Sequence, residues 1–242
     1  MPLRLDKYLT ELGIGTRSEV KKLIKTKQIT VNGGFALKPE MKIHEQADEV
    51  CLRGRKLSYA AYEYYLFHKP AGCVSATEDR VHQTVMDYLT DTVRSDLFPV
   101  GRLDIDTEGL LLITNDGALA HDLLSPAKHI AKTYYAKVRG KVTAEDVDLF
   151  EKGVDIGEDK LTKPAQLVIL KNDFVFSEVE LTITEGKFHQ VKRMFQAVGK
   201  EVVYLKRLSM GSLVLPSDLK PGEYRKLTEE ELSELRNCNK TE

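Results

Sequence analysis

The sequence predicts an α+β fold with a mixed, mainly antiparallel sheet, preceded by a smaller domain of two helices and a hairpin. In residues 63–242, segments with the patterns of strands outnumber segments with helical spacing. Short turns join several of these strands, which favours antiparallel pairing. The N-terminal part also differs in charge: residues 1–58 contain 12 basic and 7 acidic residues, whereas the remainder contains 24 basic and 30 acidic residues. A basic module joined to an acidic one is typical of a nucleic-acid-binding domain attached to an enzyme.

Length and composition limit the class of protein. A chain of 242 residues with 42% hydrophobic residues can bury a full core in one or two domains. No apolar run approaches the length of a membrane span and no signal-peptide pattern opens the chain, so we expect a cytoplasmic protein with no membrane partner. The cysteines are far apart in sequence and indicate a reducing compartment, and the histidines lack metal-ligand spacing, so we expect no metal.

Two helices are predicted at the N-terminus. Apolar residues from Leu3 to Leu12 follow a helical spacing, and Gly13 ends the pattern. Thr16 and Glu19 form a capping box, which starts a second helix. This second helix presents a set of cations, namely Arg17, Lys21, Lys22, Lys25 and Lys27.

A small sheet is predicted after these helices. An Asn-Gly pair indicates a hairpin over residues 29–35, and residues 49–52 form a further strand. The predicted N-terminal domain is therefore residues 1–58. Polar and basic residues 53–62 are interpreted as the linker to a second domain, residues 59–242.

The second domain is predicted from apolar runs, alternation and capping signals. A run of four apolar residues marks a buried strand at 110–113, and alternation marks one at 178–184. Thr228 and Glu231 form a second capping box before the last helix. The other strands are predicted at residues 63–67, 130–142 and 165–171. Helices are predicted at residues 84–89, 118–124, 143–152, 188–198 and 228–236.

The loop before the strand at 110–113 is the first candidate for chemistry. It holds Arg102 and three acids, of which Asp104 and Asp106 stand nearest the arginine. We expect Leu103 and Ile105 to anchor the loop inward, which would aim both aspartates the opposite way. The residue pattern does not choose between the two aspartates. It also allows a simple charged turn in which Asp104 pairs with Arg102.

Two later segments could complete such a site. Tyr134 lies on a predicted strand, where its ring could stack on a nucleobase or its hydroxyl relay a proton, although a tyrosine there can equally be a core residue. Residues 187–193 bring four potential cations to the start of a predicted helix. They form either a solvated basic face or a site that pairs with a carboxylate and with phosphates. These cations are Lys187, His189, Lys192 and Arg193.

Residues 2–52 resemble the ribosomal-protein-S4-like RNA-binding domain. The resemblance rests on residues 4–9, 16–19 and 29–33. In that family, the helix pair docks on structured RNA through phosphate contacts, which give a salt-dependent and sequence-tolerant affinity. The cations assigned to RNA binding on this basis are Arg4, Lys7, Arg17, Lys21, Lys22 and Lys25.

Residues 64–228 resemble the RsuA family of pseudouridine synthases, and the segment 101–117 matches that family's catalytic segment throughout. The resemblance assigns Asp104 as the catalytic aspartate and Arg102 to RNA entry and base flipping. Tyr134 falls on the active-site tyrosine that packs against the target base. Lys192 falls on the cation that pairs with the aspartate, with Arg193 as the alternative. Leu205 falls near the apolar residue that closes the pocket, while Lys187, His189 and Arg193 would contact RNA.

The resemblance implies an isomerisation that needs no cofactor. A uridine would be flipped out of folded RNA, and Asp104 would act at the ribose or the base, with its pKa kept low by Lys192. The form of residues 188–194 is similar to the branch whose product is pseudouridine 516 of 16S ribosomal RNA. We therefore expect binding to 16S rRNA or a small-subunit assembly intermediate. We also expect a monomer, since no pattern of exposed apolar residues demands a dimer. The alternatives are a synthase acting on 23S rRNA and a non-catalytic RNA-binding assembly factor on the same scaffold.

Overall fold

The structure, a computed structural model, describes residues 2–45, 47–57 and 62–238. Contacts between Cα atoms divide these residues into two units. The first unit runs to Glu63 and also includes Thr90–Leu97, and the second comprises Tyr64–Leu89 and the chain from Phe98 onward. The predicted boundary between residues 58 and 59 lies outside the described residues, as do four residues of the predicted linker.

The first unit contains the two predicted helices and the predicted hairpin. Thr16 and Glu19 form the capping box, with the Thr16 amide donating to Glu19 Oε2 over 2.7 Å. Asn32 and Gly33 both have positive φ, as the hairpin turn requires. The elements are β1 (Leu3–Arg4), α1 (Leu5–Glu11), α2 (Arg17–Lys25), β2 (Ile29–Val31), β3 (Gly34–Phe35), β4 (Lys42–Ile43), β5 (Val50–Leu52) and β6 (Arg55–Lys56).

Part of the predicted linker is a strand. Strand β6 pairs antiparallel with β5 through a turn in which Arg53 and Gly54 have positive φ. Its side chains are exposed, so the strand has no buried alternation that the sequence could reveal. The described part of the sheet has the order β3-β2-β5-β6, and β1 pairs separately with β4.

Residues 90–97 belong to the first unit because of two buried charged side chains. The carboxylate of Glu63 accepts hydrogen bonds from the amides of Val93 and Arg94, at 3.0 and 2.8 Å. The buried Arg94 guanidinium pairs with Glu11 at 3.1 Å and with Asp96 at 2.7 Å. These contacts join segments distant in sequence, which local patterns do not predict.

The second unit is built on one mixed sheet. Its described strands follow the order β11-β12-β10-β13-β9-β7-β15, with β14 beside β13 and β8 beside β9. Strands β13 and β9 are parallel, and the other pairings are antiparallel. The strands are β7 (Tyr64–Lys69), β8 (Phe98–Pro99), β9 (Glu108–Thr114), β10 (Lys132–Arg139), β11 (Gln166–Asn172), β12 (Phe176–Ile183), β13 (Glu201–Met210), β14 (Leu213–Val214) and β15 (Tyr224–Lys226).

The helices of this unit agree with the sequence prediction to within about two residues. They are α3 (Gly117–Leu124), α4 (Ala144–Lys152), α5 (Gln190–Ala197) and α6 (Glu229–Cys238). The segment predicted as a helix at 84–89 is a short 3-10 helix, Val85–Tyr88, and a second one covers Pro126–Lys128. None of the described helices combines the length and the apolar character needed to cross a membrane.

Strand β13 was not predicted, although it is the longest described strand and lies between β10 and β9. Arg207 is buried within it, and its pairing with β10 is irregular at two points. A buried cation and a shifted register both disturb the alternation by which a strand is recognised in sequence. The strand that lies between β10 and β9 could therefore not be identified from the sequence.

Apolar residues of the second unit form two clusters. One lies under α4 and α5 and includes Leu103, Tyr134, Val191 and Leu205. The other, with Leu110 among its members, packs under α3 and α6. The run from Leu110 to Ile113 is fully buried, as predicted. The first cluster lies next to the loop that carries Asp104.

Candidate active site

The loop between β8 and β9 is anchored by one apolar side chain and by backbone hydrogen bonds. Leu103 is buried, its amide donates to Ser75 Oγ, and the Ser75 hydroxyl donates to its carbonyl oxygen, each over 3.0 Å. The amide of Thr107 donates to the carbonyl oxygen of Asp104 over 3.1 Å, which closes a tight turn. Ile105 is 40% exposed, so the prediction that it also anchors the loop inward is wrong. The turn itself fixes residues 104–107 without a second apolar anchor.

A fully buried lysine holds this loop from beneath. The ammonium of Lys69, the last residue of β7, donates to the carbonyl oxygens of Asp104, Thr107 and Pro70, each over 3.0 Å. It also lies 3.5 Å from the carbonyl oxygen of Ile105. Burial lowers the pKa of Lys69 because removal from water penalises the ammonium. The sequence did not predict this role of Lys69, for which only its position at the end of an apolar strand could have been a signal.

Helix α5 and the residue that precedes it bring a lysine and a histidine to the Asp104 carboxylate. Lys192 Nζ lies 3.1 Å from Asp104 Oδ2 and 2.6 Å from Asp106 Oδ1. His189 Nε2 lies 3.5 Å from Asp104 Oδ1. Partial burial opposes the charged form of Lys192, but the hydrogen bonds to Asp106 and Asp104 outweigh it and raise the pKa of Lys192. The carboxylate of Asp104 therefore faces a cation on one oxygen and an imidazole on the other.

The two aspartates that the sequence could not distinguish differ in their surroundings. The side chain of Asp104 is 27% exposed, whereas that of Asp106 is 66% exposed. Burial tends to raise the pKa of Asp106, but its hydrogen bond to Lys192 outweighs burial and lowers that pKa. Asp104 is the more sheltered carboxylate, and it faces both the Lys192 ammonium and the His189 imidazole, so it is the better placed of the two for chemistry.

The start of α5 is set by a buried glutamine. Gln190 accepts a hydrogen bond from the amide of Lys187 over 2.9 Å and donates to Glu185 over 2.8 Å. The helix then buries Val191 and Met194 on one face. The same spacing places Lys192 on the opposite face, toward the loop.

Lys187 and Arg193 bind a different acid. Lys187 Nζ lies 3.1 Å and Arg193 Nη1 2.7 Å from the Glu158 carboxylate. Arg193 also donates to the carbonyl oxygens of Phe188 and Ile156. Of the two candidates for pairing with Asp104, the structure brings Lys192 to the carboxylate and directs Arg193 to the segment around Glu158.

Tyr134 and Leu205 lie in one apolar cluster with Leu103, the residue before Asp104. The ring of Tyr134 is buried, and the residue pairs across the sheet with Arg207, while Leu205 pairs with Ala136. The buried Arg207 donates from Nε to the carbonyl oxygen of Leu110 over 2.7 Å. The tyrosine, the leucine and the candidate aspartate are thus placed by β10, β13 and the loop before β9.

The remaining candidate cations are on the surface. Arg102 is exposed, and among the described residues no ion pair joins it to Asp104, so the simple charged turn is not formed. In the first unit, Arg4 pairs with Asp6 at 2.8 Å and Lys7 with Glu11 at 3.6 Å. The cations of α2 are exposed: Arg17, Lys21, Lys22 and Lys25.

Comparisons with known proteins identify the family of this chain. The sequence profile of the family described as RNA pseudouridylate synthase matches residues 63–197, and that of the S4 domain matches residues 3–50. A Bacillus subtilis protein described as an uncharacterized RNA pseudouridine synthase is 50% identical over 231 residues, covering 95% of this chain and 97% of the relative.

Two further relatives are named ribosomal small subunit pseudouridine synthase A. The Escherichia coli K12 protein is 40% identical over 96% of this chain and all of its own length, and the Vibrio cholerae protein is 40% identical over 96% of this chain and 99% of its own. A crystal structure described as a pseudouridylate synthase superposes with a TM-score of 0.68 at 37% identity, covering 96% of this chain and 99% of that one. This chain therefore belongs to the RNA pseudouridylate synthase family, and its N-terminal unit carries an S4 domain.

Proposed function

We propose that this pseudouridine synthase acts on small-subunit ribosomal RNA, at uridine 516 of 16S rRNA. The proposal is supported by the names of the two relatives that are 40% identical over nearly the full chain. An S4 domain with exposed cations on α2 provides a surface suited to RNA phosphates. The substrate is either the free RNA or a small-subunit assembly intermediate. Action as a monomer in the cytoplasm remains a prediction.

The observation that carries the proposal is the position of the Asp104 carboxylate, sheltered and paired with Lys192 on a loop fixed by Lys69. A carboxylate acts as a nucleophile only when it is ionised. Lys192, whose pKa is raised, stays protonated at neutral pH and supports the ionised form when RNA excludes water. Asp104 is proposed as the nucleophile and Lys192 as its counter-ion.

The reaction is an isomerisation in which nothing is consumed. The bond between ribose C1′ and uracil N1 breaks, the base rotates, and C1′ joins C5. The proton leaves C5 and N1 gains one, so atoms and charge balance. The Asp104 carboxylate assists through attack at C1′ or C6, or by taking the C2′ proton, while Tyr134 packs on the flipped base and Leu205 closes the apolar side of the pocket.

The cations outside this centre are proposed to bind the RNA around the target. Arg102, exposed on the same loop as Asp104, is proposed to act in RNA entry and base flipping. His189 is proposed to contact RNA beside Asp104. Lys187 and Arg193 are proposed to do so while remaining paired with Glu158, since an ion pair at the surface leaves donors free for phosphate.

Substitution of the two aspartates tests the role of Asp104. We expect Asp104→Asn to lower the rate of isomerisation by on the order of 10³-fold or more while RNA affinity is retained, because only the ionised oxygen is removed. Asp106→Asn is the matched control, since its carboxylate contacts the same lysine but is more exposed. Tritium release from C5-labelled uridine under single-turnover conditions measures both variants. Comparable turnover by Asp104→Asn and the wild-type enzyme would refute the assignment.

Mapping of pseudouridine in ribosomal RNA from a deletion strain tests the target. We expect loss of modification at position 516 of 16S rRNA and its return on complementation. Loss of a 23S site instead would identify a large-subunit enzyme, and an unchanged pattern at every site would favour a non-catalytic role.

A further inference from the structure

A stacked aromatic pair lies beside the Asp104 carboxylate. The rings of Phe188 and His189 have centroids 3.8 Å apart and planes inclined by 19°. His189 is the inner member, since its Nε2 lies 3.5 Å from Asp104, whereas Phe188 is 68% exposed. We propose that the open face of Phe188 stacks on the base of a nucleotide that directly flanks the target uridine. This inference rests on the proposed function and adds a specificity-determining contact to it.

Phe188 is held in place by its backbone and by its ring. Its carbonyl oxygen accepts a hydrogen bond from Arg193 Nη1 over 3.1 Å, and the same nitrogen pairs with Glu158. His189 adopts a left-handed conformation with φ of 48°, which is uncommon for a residue other than glycine. Such conformations persist only where the surroundings enforce them. The ring is therefore oriented before RNA binds, which lowers the ordering cost of a stacking contact.

Exposure alone does not distinguish Phe188 from an ordinary surface residue. Phe174, in the turn between β11 and β12, is 96% exposed and needs no functional explanation. Phe188 differs because its ring is already stacked and because it is adjacent in sequence to a residue that contacts Asp104. A nucleobase provides a flat π-face for such a ring, and its phosphate complements the cations on α5.

The base that meets Phe188 belongs to a neighbour of the target. The reacting carbon must reach Asp104, and the target base is proposed to pack on Tyr134. One face of Phe188 is covered by His189, so only the opposite face is open. When the target flips out, an unpaired flanking nucleotide loses its stacking partner. One face of its base is then exposed and can stack on Phe188.

The test combines substitution of Phe188 with removal of flanking bases. The RNA is a fragment of 16S rRNA, assembled by ligation, that contains the mapped target uridine and either both flanking bases or an abasic site at one of them. We expect Phe188→Ala to weaken the binding of intact RNA by about 5- to 100-fold. Phe188→Trp should bind within about twofold of the wild-type enzyme, because it preserves the stacking face. Phe174→Ala is the matched control and should bind like the wild type, and thermal melting should show all variants to be folded.

On one of the two abasic RNAs, the wild-type enzyme should bind more weakly than it binds intact RNA. Phe188→Ala should bind that abasic RNA as well as it binds intact RNA. Wild-type affinity of Phe188→Ala for intact RNA would overturn the proposal. So would a Phe188→Ala defect that persists undiminished on both abasic RNAs, since the ring would then act through His189 alone. Failure of the wild-type enzyme to form pseudouridine in this RNA would instead count against the proposed target, and the binding comparison would then be made on the RNA that mapping identifies.

Discussion

At the scale of single residues, the loop that carries Asp104 depends on one buried ammonium. Lys69 donates to three carbonyl oxygens, and one of them, that of Asp104, also accepts the hydrogen bond that closes the turn. Two of these contacts join the end of β7 to residues 104 and 107. The backbone of the candidate nucleophile is therefore fixed by a side chain that has no exposed surface. Lys69 is a positioning residue in this interpretation.

Substitution of Lys69 by methionine should separate positioning from binding. The variant keeps the apolar stem but removes the ammonium donor from three carbonyl oxygens, which costs about 1–3 kcal/mol for each oxygen that keeps no other partner and that water cannot reach. We expect a lower melting temperature and a fall of at least about 100-fold in the single-turnover rate, because misplacement of a reacting group by about 1 Å can have that effect. RNA affinity should change little.

The measurements are thermal melting, RNA binding and single-turnover kinetics below the melting temperature of the variant. Lys171→Met, which removes an exposed lysine from β11 of the same unit, is the control and should leave all three unchanged. A Lys69→Met enzyme that is folded and reacts at the wild-type rate would contradict the positioning role.

At the scale of elements, the strand after the Asp104 loop, β9, closely approaches β13. Gly109 has φ of 112°, and a Cβ atom there would lie 2.3 Å from the carbonyl oxygen of Arg207. These two strands form the parallel pair of the sheet, with Arg207 opposite Gly109. At the preceding position, Tyr204 donates to Glu108 over 2.7 Å, and burial together with this carboxylate raises the pKa of Tyr204. The glycine therefore determines where the strand after the Asp104 loop can lie.

Gly109→Ala should destabilise the protein by at least about 3 kcal/mol, because it combines a disfavoured φ with a backbone clash. Gly157→Ala is the matched control: Gly157 also has positive φ, at 75°, but no atom lies within 4 Å of its would-be Cβ. We expect the control to lose only about 1 kcal/mol. Chemical denaturation of both variants measures the difference. Equal losses would show that the approach of β9 to β13 is not constrained at this position.

Lys132, the first residue of β10, should make the free energy of unfolding depend on pH. Burial, followed by the nearby charge of Arg207, lowers the pKa of Lys132 to about 8. In the unfolded chain this lysine titrates near its ordinary value of 10.5. Between these values the unfolded state binds more protons than the folded state, so the free energy of unfolding contributed by Lys132 rises with pH. The penalty for a buried ammonium is present in full below about pH 8.

Lys132→Met removes this titration. We expect the free energy of unfolding, followed by denaturation from pH 7 to pH 10, to rise more steeply in the wild type than in the variant. The difference between the two curves isolates Lys132 from other groups that titrate in the same range. Parallel curves over this interval would show that Lys132 is not desolvated in the folded protein.

Local signals predicted the elements that depend on local chemistry. The Thr16 capping box, the Asn-Gly turn and the buried run from Leu110 to Ile113 depend on neighbours in sequence, and all three are confirmed. Strand β13 and the burial of Lys69 depend on partners far away in the chain, and the sequence predicted neither. The sequence likewise could not distinguish Asp104 from Asp106, because their difference lies in what α5 brings to them.

At the scale of the whole molecule, the two units do not follow one break in the chain. Residues 90–97 belong to the first unit, where Arg94 pairs with Glu11. Deletion of the first 55 residues would therefore leave the buried Arg94 without that partner and would confuse loss of RNA contacts with loss of folding. A sharper test of RNA binding by the S4 domain changes only exposed side chains of α2.

Neutralisation of three lysines of α2 should reduce both the affinity for RNA and its dependence on salt. Lys21, Lys22 and Lys25 are exposed, so their replacement by glutamine keeps the helix while removing charge. Affinity falls with salt, and each lost phosphate contact reduces the magnitude of the slope of log K against log salt by about 0.7 to 0.9. We therefore expect the slope to be shallower by up to about 3. Binding to a 16S rRNA transcript between low and moderate salt measures the slope.

A matched triple variant of the second unit removes the same charge from exposed positions that have no predicted RNA contact: Lys152, Lys171 and Lys220. Equal slopes for the two triple variants would show that net charge, rather than the surface of α2, governs RNA binding.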